Sequence, residues 1–306
     1  MLLLATANSV IRTLVVPRVA SSAISNLVAM GTLGVFRLVA RTFHAYRMRD
    51  RLLALAGPTT LLGLLVVWLG LFWMSYGLLM QTTEGMDIGT ALRESGSSLF
   101  TLGYATNERA QLAALDFFAA ATGPIVIGLM IGYLPTLYGS FNRREVEVTQ
   151  LSWQAGEPNW GPELLARQVI YDMLEELPDL WRTRAGWAAD ISESHTTYSL
   201  LITIRSSRPK RNWALALLAV MDAAALQLAL MPQLPQGRAR IMLREGIQCL
   251  RSLTSALDVK VFAFRETVIE RQPATQEVTL SRAEFDRGVQ RLRAAGAPIT
   301  VSDDAA

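Results

Sequence analysis

The stretch Ala91-Leu-Arg-Glu-Ser-Gly-Ser-Ser-Leu-Phe-Thr-Leu-Gly-Tyr-Ala105 lies between two long uncharged apolar runs, and its reading decides the fold. Ala91 to Phe100 predicts a short helix with Thr90 as its N-cap, and the remainder an extended polar loop. The segment is too short and too polar to cross a bilayer. Non-helical backbone is tolerated at membrane depth only where protein buries it or where it lines a watery path. A re-entrant loop between two spanning helices satisfies that condition.

The flanking runs fit spanning helices. Leu52 to Gln81 contains no charged residue. Thr59 to Met80, at about 1.5 Å per residue, matches a hydrocarbon layer roughly 30 Å thick. A second uncharged stretch runs from Phe117 to Asn142 and ends at Arg143-Arg144. With 51% of its 306 residues hydrophobic and only 18% charged, the chain departs from soluble composition in the direction these runs require. Arg37, Arg41, Arg47, Arg49 and Arg51 precede the first run, whereas the connecting segment has only Arg93 and Arg109 as bases. The bias of basic residues toward the cytoplasm therefore predicts two spans in a cytoplasmic (inner) membrane, both termini inside and the loop outside.

The sequence pI of about 9.2 and net charge of +3 come largely from juxtamembrane arginine, which favours anionic lipid headgroups over nucleic acid. The single cysteine, Cys249, excludes an intramolecular disulfide or a cysteine metal cluster. Met1 to Val16, which holds Arg12 and is bounded by Pro17, reads either as a retained apolar segment or as a cleaved signal peptide; retention is favoured. From Leu27 to Arg51, bases and apolar residues recur in two stripes. That spacing describes an amphipathic helix lying among headgroups or packed on the cytoplasmic domain.

Four regions follow: a basic N-terminal segment (1–52), a two-helix membrane domain (53–142), a linker (143–160) and a mainly helical cytoplasmic domain (161–306). Gln154-Ala-Gly-Glu-Pro158 and Trp160-Gly-Pro162 are turn-rich. Pro162 to Leu177 carries Leu165, Val169, Met173 and Leu177 at four-residue steps, as a core-facing helix does. Ser281-Arg-Ala-Glu284 is a capping box that opens a helix with Phe285, Val289 and Leu292 on one face, ending at Gly296. Trp213 to Met231 has the length of a third span, but Asp222 at its centre would cost about 2.5–3.5 kcal/mol there, so a buried helix of the cytoplasmic domain is favoured. Thr196 to Arg205 is rich in β-branched residues and reads as a strand without a partner. His44, His195 and Ser192-Glu-Ser-His195 show no metal-ligand spacing and no clustered nucleophile and base, so neither a metal site nor an enzyme is expected.

The re-entrant stretch carries chemistry of its own. A cation crossing a bilayer needs its lost hydration replaced, and inward-facing carbonyl oxygens on an extended, glycine-containing loop do this without burying full charges. Thr101, Leu102, Gly103, Tyr104 and Ala105 form that loop. Glu84, Asp87, Glu94 and Glu108 against Arg93 and Arg109 leave its surroundings negative, which concentrates cations.

At these residues the chain resembles the pore domain of the potassium-channel superfamily in its two-transmembrane form. That family carries A-L-W-W-S-x-x-T-x-T-T-V-G-Y-G-D, and Ala91, Leu92, Ser95, Thr101, Gly103 and Tyr104 match it, with Ser98 at the pore-helix threonine. The resemblance covers roughly Leu53 to Tyr138. It implies a selectivity filter over Thr101 to Ala105, a pore helix containing Ala91, Leu92, Ser95 and Ser98, and a permeant monovalent cation, potassium first, with no other cofactor. One loop per chain cannot enclose an axis, so it also implies a homotetramer. Ala105 replaces the second filter glycine, Thr106 the aspartate, and Arg93-Glu94 the paired tryptophans; a reshaped outer carbonyl ring is expected. Gly123-Pro124 and Gly128, the latter within a G-x-x-x-G step, are hinge candidates, because inner-helix bending is how the family is thought to gate. The rival reading is a non-conducting membrane-anchored sensor or interaction protein that acts through its cytoplasmic domain.

Overall fold

The computed structural model describes residues 1–16, 22–105, 110–206, 208–261 and 281–300. Pro17, Thr106, Glu108 and Arg109 lie outside them. The described residues are helical, with no strand among them: α1 (Leu2–Leu14), α2 (Ala23–Ala40), α3 (Tyr46–Ala54), α4 (Ala56–Glu84), α5 (Ile88–Leu99), α6 (Ala110–Ala155), α7 (Gly161–Ile170), α8 (Leu177–Thr197), α9 (Trp213–Leu230), α10 (Gly237–Val261) and α11 (Arg282–Ala294), with 3-10 turns at Leu174–Glu176 and Ser199–Ile202. Two compact units result, Met1–Gly139 and Ser140–Ala306.

The all-helical class expected from the sequence holds. Among the described residues, four helical stretches are long and apolar enough to cross a membrane: Ala23–Ala40, Tyr46–Thr83, Ala113–Ala155 and Trp213–Leu230. The spacing of bases and apolar residues predicts one amphipathic helix from Leu27 to Arg51. Instead the chain breaks after Ala40, where the Thr42 hydroxyl donates to the Val39 carbonyl at 2.7 Å, an alternative to the next helical bond. The apolar α2 is thereby separated from the basic α3, which holds Arg47, Arg49 and Arg51.

In the first unit α1 and α2 both pack on α4. The contact with α1 is polar: Trp68 Nε1, on a fully buried indole, donates to Ser9 Oγ at 2.9 Å. Ser22 Oγ donates to the same oxygen at 2.7 Å, and Thr13 and Ser25 hydroxyls meet at 2.7 Å. Hydroxyls that would be stranded in an apolar surface find one another across the helices.

The second unit has a conventional apolar core built on Leu164, Leu165, Trp181, Ile191, Leu217 and Val220, all fully buried. Here α9 is the central helix anticipated for Trp213 to Met231, with Asn212 as N-cap and nine of its residues buried. Asp222 lies beside Gly161, whose added Cβ would come within 2.7 Å of the Asp222 Cβ, so α7 and α9 approach closely there. Burial raises the Asp222 pKa. The Ser281–Glu284 capping box is formed, and Val289 and Leu292 are buried as expected. Three expectations need correction. The predicted linker 143–160 is helical as far as Ala155, because Val148, Leu151 and Ala155 join the core. The helix expected from Pro162 to Leu177 stops at Ile170, where Asp172 takes a positive φ of 57°. Thr196 to Arg205 forms the end of α8 and a 3-10 turn; Leu201 is buried in the core, which overrides the strand preference of its β-branched neighbours.

Candidate functional site

The site is built on α5 and the six residues that follow it, Phe100 to Ala105. The helix starts earlier than expected. Asp87, not Thr90, is the N-cap, its carboxylate accepting from the backbone N–H of Gly89 at 2.9 Å and of Thr90 at 3.4 Å. A carboxylate satisfies two orphan donors and meets the positive end of the helix dipole, which a threonine hydroxyl does less well.

Three contacts seat α5 on α4. Trp73 Nε1 donates to the Leu92 carbonyl at 2.8 Å, Ser95 Oγ donates to the Trp73 carbonyl at 3.2 Å, and Gly77 leaves room for Leu92, whose Cδ2 would lie 2.7 Å from an added Cβ. Ala91 is buried beside Met80. Two more contacts tie α5 to α6: Ser98 Oγ donates to the Asp116 carboxylate, and Gly123 faces the Leu99 carbonyl. A Cβ at Gly123 would stand 2.0 Å from that oxygen. Gly123 is therefore a packing notch. Helix α6 runs through Pro124 and Pro135 without interruption, and an added Cβ at Gly128 or Gly132 would meet nothing within 4 Å.

The end of α5 forms a Schellman cap. Thr101 N–H donates to the Ser98 carbonyl at 2.9 Å and Leu102 N–H to the Ser97 carbonyl at 2.8 Å, with Thr101 in the left-handed region at φ 54°. Glycine is usual there; a β-branched residue costs about 1–2 kcal/mol. Gly103 follows at φ 70°, and Leu102, Tyr104 and Ala105 do not share the positive φ. Ala105, at the second filter-glycine position, therefore takes no left-handed backbone, and among the non-glycine loop residues Thr101 does. Ala105 instead donates its N–H to Ser97 Oγ at 3.0 Å, and Tyr104 donates its hydroxyl to the Arg93 carbonyl at 3.3 Å. Backbone and hydroxyl contacts brace the loop.

Those bonds take up donors of the loop and leave its acceptors. The Thr101 hydroxyl donates to the Phe100 carbonyl at 2.8 Å. Among the described residues, no donor reaches the carbonyl oxygens of Thr101, Leu102, Gly103 or Tyr104. Leu102 and Tyr104 are 63% and 58% exposed. A run of consecutive carbonyls held on one anchored loop, with no protein partner, requires water or an ion.

Beside the loop lies a recess of about 530 Å³, lined by Val66, Leu69 and Trp73 of α4, Leu92, Arg93 and Gly96 of α5, and Phe100, Leu102 and Tyr104. Arg93 pairs with no carboxylate among the described residues. Sequence reasoning missed Ser97, Asp116 and Asp87, which hold the loop and its helix in place. The available signal was Asp116, a carboxylate at the edge of an otherwise uncharged run.

Other residues considered on sequence are structural here. Arg144 is fully buried; it donates to Glu145 at 2.9 Å and to the carbonyls of Leu201 at 2.9 Å and Ile204 at 3.1 Å, and it meets His195 Nε2 at 3.2 Å. Arg143 pairs with Asp190 at 3.2 Å. The basic pair that ends the second apolar run thus makes contacts within its own unit. Burial, together with the Arg144 charge, pushes the His195 pKa down to about 3, so its imidazole is neutral. Burial pushes the Cys249 thiol up to about 12, which leaves it unreactive. Among the described residues no cluster of three or more His, Cys, Asp or Glu is arranged to hold a metal.

No protein-family model, curated protein or solved structure matches the chain.

Proposed function

We propose that this chain is the subunit of a cation channel, in which four copies surround an axis and the carbonyls of Thr101 to Tyr104 replace the hydration of a permeating monovalent cation. The observation that carries this reading is the run of four carbonyl oxygens with no donor among the described residues, on a loop anchored through Ser97 and Tyr104. In a bilayer such oxygens are tolerable only along a watery path. The order of elements supports it: a membrane-length helix α4, a short helix α5, the loop, and a second membrane-length helix α6. Potassium is the first candidate ion, because the matching residues are those of the potassium-channel pore. Both termini lie in the cytoplasm of a cell whose inner membrane holds the channel, and the second unit assembles or gates it. Basic residues of α3 and the end of α2 meet anionic headgroups.

Purified protein in liposomes tests the proposal. Wild-type protein passes potassium down its gradient, and Gly103→Ala or Tyr104→Ala abolishes the flux while the protein keeps its oligomeric mass. Gly103→Ala acts because φ 70° disfavours any Cβ by about 1–2 kcal/mol. Absence of flux from the wild-type protein, or flux equal in wild type and variants, overturns it.

A further inference from the structure

A ring of identical subunits needs a heterologous contact, in which two different patches of one chain complement each other. Rotation about an axis normal to the membrane keeps every residue at its own depth. The two patches must therefore lie at the same height on the protomer. This condition can be examined within the first unit alone.

One patch is a protrusion. Phe117 and Phe118, at the outer end of α6, are 75% and 68% exposed. Their height is set by their neighbours: Asp116 bonds Ser98 of α5, and Gly123 lies against the Leu99 carbonyl. The aromatic pair thus stands level with the C-terminal end of α5. The other patch is the recess of about 530 Å³, whose walls include Gly96 and Phe100 at that same end of α5, with Leu69 and Trp73 behind them. Charge follows the same arrangement. Arg93 is on the recess wall, and Asp116 immediately precedes the protruding pair.

We infer that Phe117 and Phe118 of one subunit enter the recess between α4, α5 and the filter loop of the next copy of this chain, with Asp116 brought toward the Arg93 of that copy. Buried aromatic side chains remove roughly 150–250 Å² each from solvent or lipid. The contact would press on Phe100, the residue preceding the loop, so subunit assembly and loop geometry become one event. The inference rests on the channel reading above for its tetramer and adds which surfaces close the ring.

Disulfide trapping on the full chain tests it. In a Cys249→Ala background, the double variant Phe118→Cys/Leu69→Cys is oxidised in detergent micelles, and the two single variants serve as controls. The expected result is a non-reducing ladder of dimer, trimer and tetramer from the double variant and none from either single variant. In the unoxidised tetramer, Leu69→Cys is also protected from a lipid-soluble maleimide. A tetrameric mass with an intrachain disulfide or no ladder overturns this contact and leaves the pore reading standing. Ready maleimide labelling of Leu69→Cys in that tetramer also overturns it, because the recess then holds lipid chains. A monomeric mass overturns both.

Discussion

The two units solve the problem of buried polar groups in opposite ways. The first joins its helices through hydroxyls and indoles: Trp68 to Ser9, Trp73 to the Leu92 carbonyl, and Tyr76 to Thr122 at 2.8 Å. The second buries whole arginines. Arg144 and Arg184 are both at most 2% exposed; carboxylates, carbonyls and Gln154 accept from them, and Arg184 Nε alone has no acceptor among the described residues. The difference follows from solvent. A neutral hydroxyl is cheap to place in lipid or between lipid-facing helices, whereas a guanidinium there is costly and needs a complete shell of acceptors. Carboxylates of the first unit serve α5, Asp87 as its N-cap and Asp116 as the acceptor for Ser98. Charge in the second is spent on fixing its own helices.

The sharpest test of that contrast is Arg144. Arg144→Ala leaves Glu145 without its arginine in a nearly closed site and is expected to cost about 3–5 kcal/mol of stability, read from thermal unfolding by circular dichroism. The double variant Arg144→Met/Glu145→Leu should recover most of that loss, since it removes both charges. If the single and double variants unfold alike, the buried charge is not what holds this region.

In the first unit the largest effect is steric. Gly123→Ala sets a Cβ against the Leu99 backbone carbonyl, which cannot move as a side-chain end could, and about 3 kcal/mol or more of destabilisation is expected. Gly128→Ala, where the added Cβ meets nothing within 4 Å, should be nearly neutral. Equal tolerance at both positions would contradict the notch.

A titration distinguishes the units further. The native imidazole of His195 stays neutral down to about pH 3, whereas in the unfolded chain it titrates near about 6.5. Below that value the unfolded state takes up a proton that the native state refuses. Stability is therefore full above about pH 6.5 and falls by about 1.4 kcal/mol per pH unit as pH drops toward 3. His195→Gln should flatten this part of the curve; an unchanged slope would place the acid sensitivity elsewhere. The smallest expected effect is Ser9→Ala, which removes one hydroxyl from a helix contact and should cost about 0.6 kcal/mol, at most about 1.7.

Much of the fold was legible. The apolar runs at Leu52–Gln81 and Phe117–Asn142, the buried central helix and the Ser281 capping box each follow from short-range pattern: length without charge, a central Asp, a serine three residues before a glutamate. The loop was legible as a loop because glycine and hydroxyl residues interrupt the apolar pattern. What failed were boundaries and roles that depend on distant partners. Asp87 outcompeted Thr90 as cap; α2 broke at Thr42; and Thr196 to Arg205 followed the core instead of its β-branched composition. No local pattern shows that Gly123 faces Leu99, or that Ser97 will hold the N–H of Ala105.

By itself, then, the amino-acid order determined that membrane-length apolar helices flank a short polar stretch in a mainly helical chain, because hydrophobic length and charge placement are local properties of the chain. Tertiary structure alone decided that the carbonyls of Thr101 to Tyr104 meet no donor among the described residues, that Thr101 takes a left-handed backbone and that Arg144 is interred. Each of these depends on which atoms from elsewhere in the chain arrive within hydrogen-bond distance, and only packing brings them there.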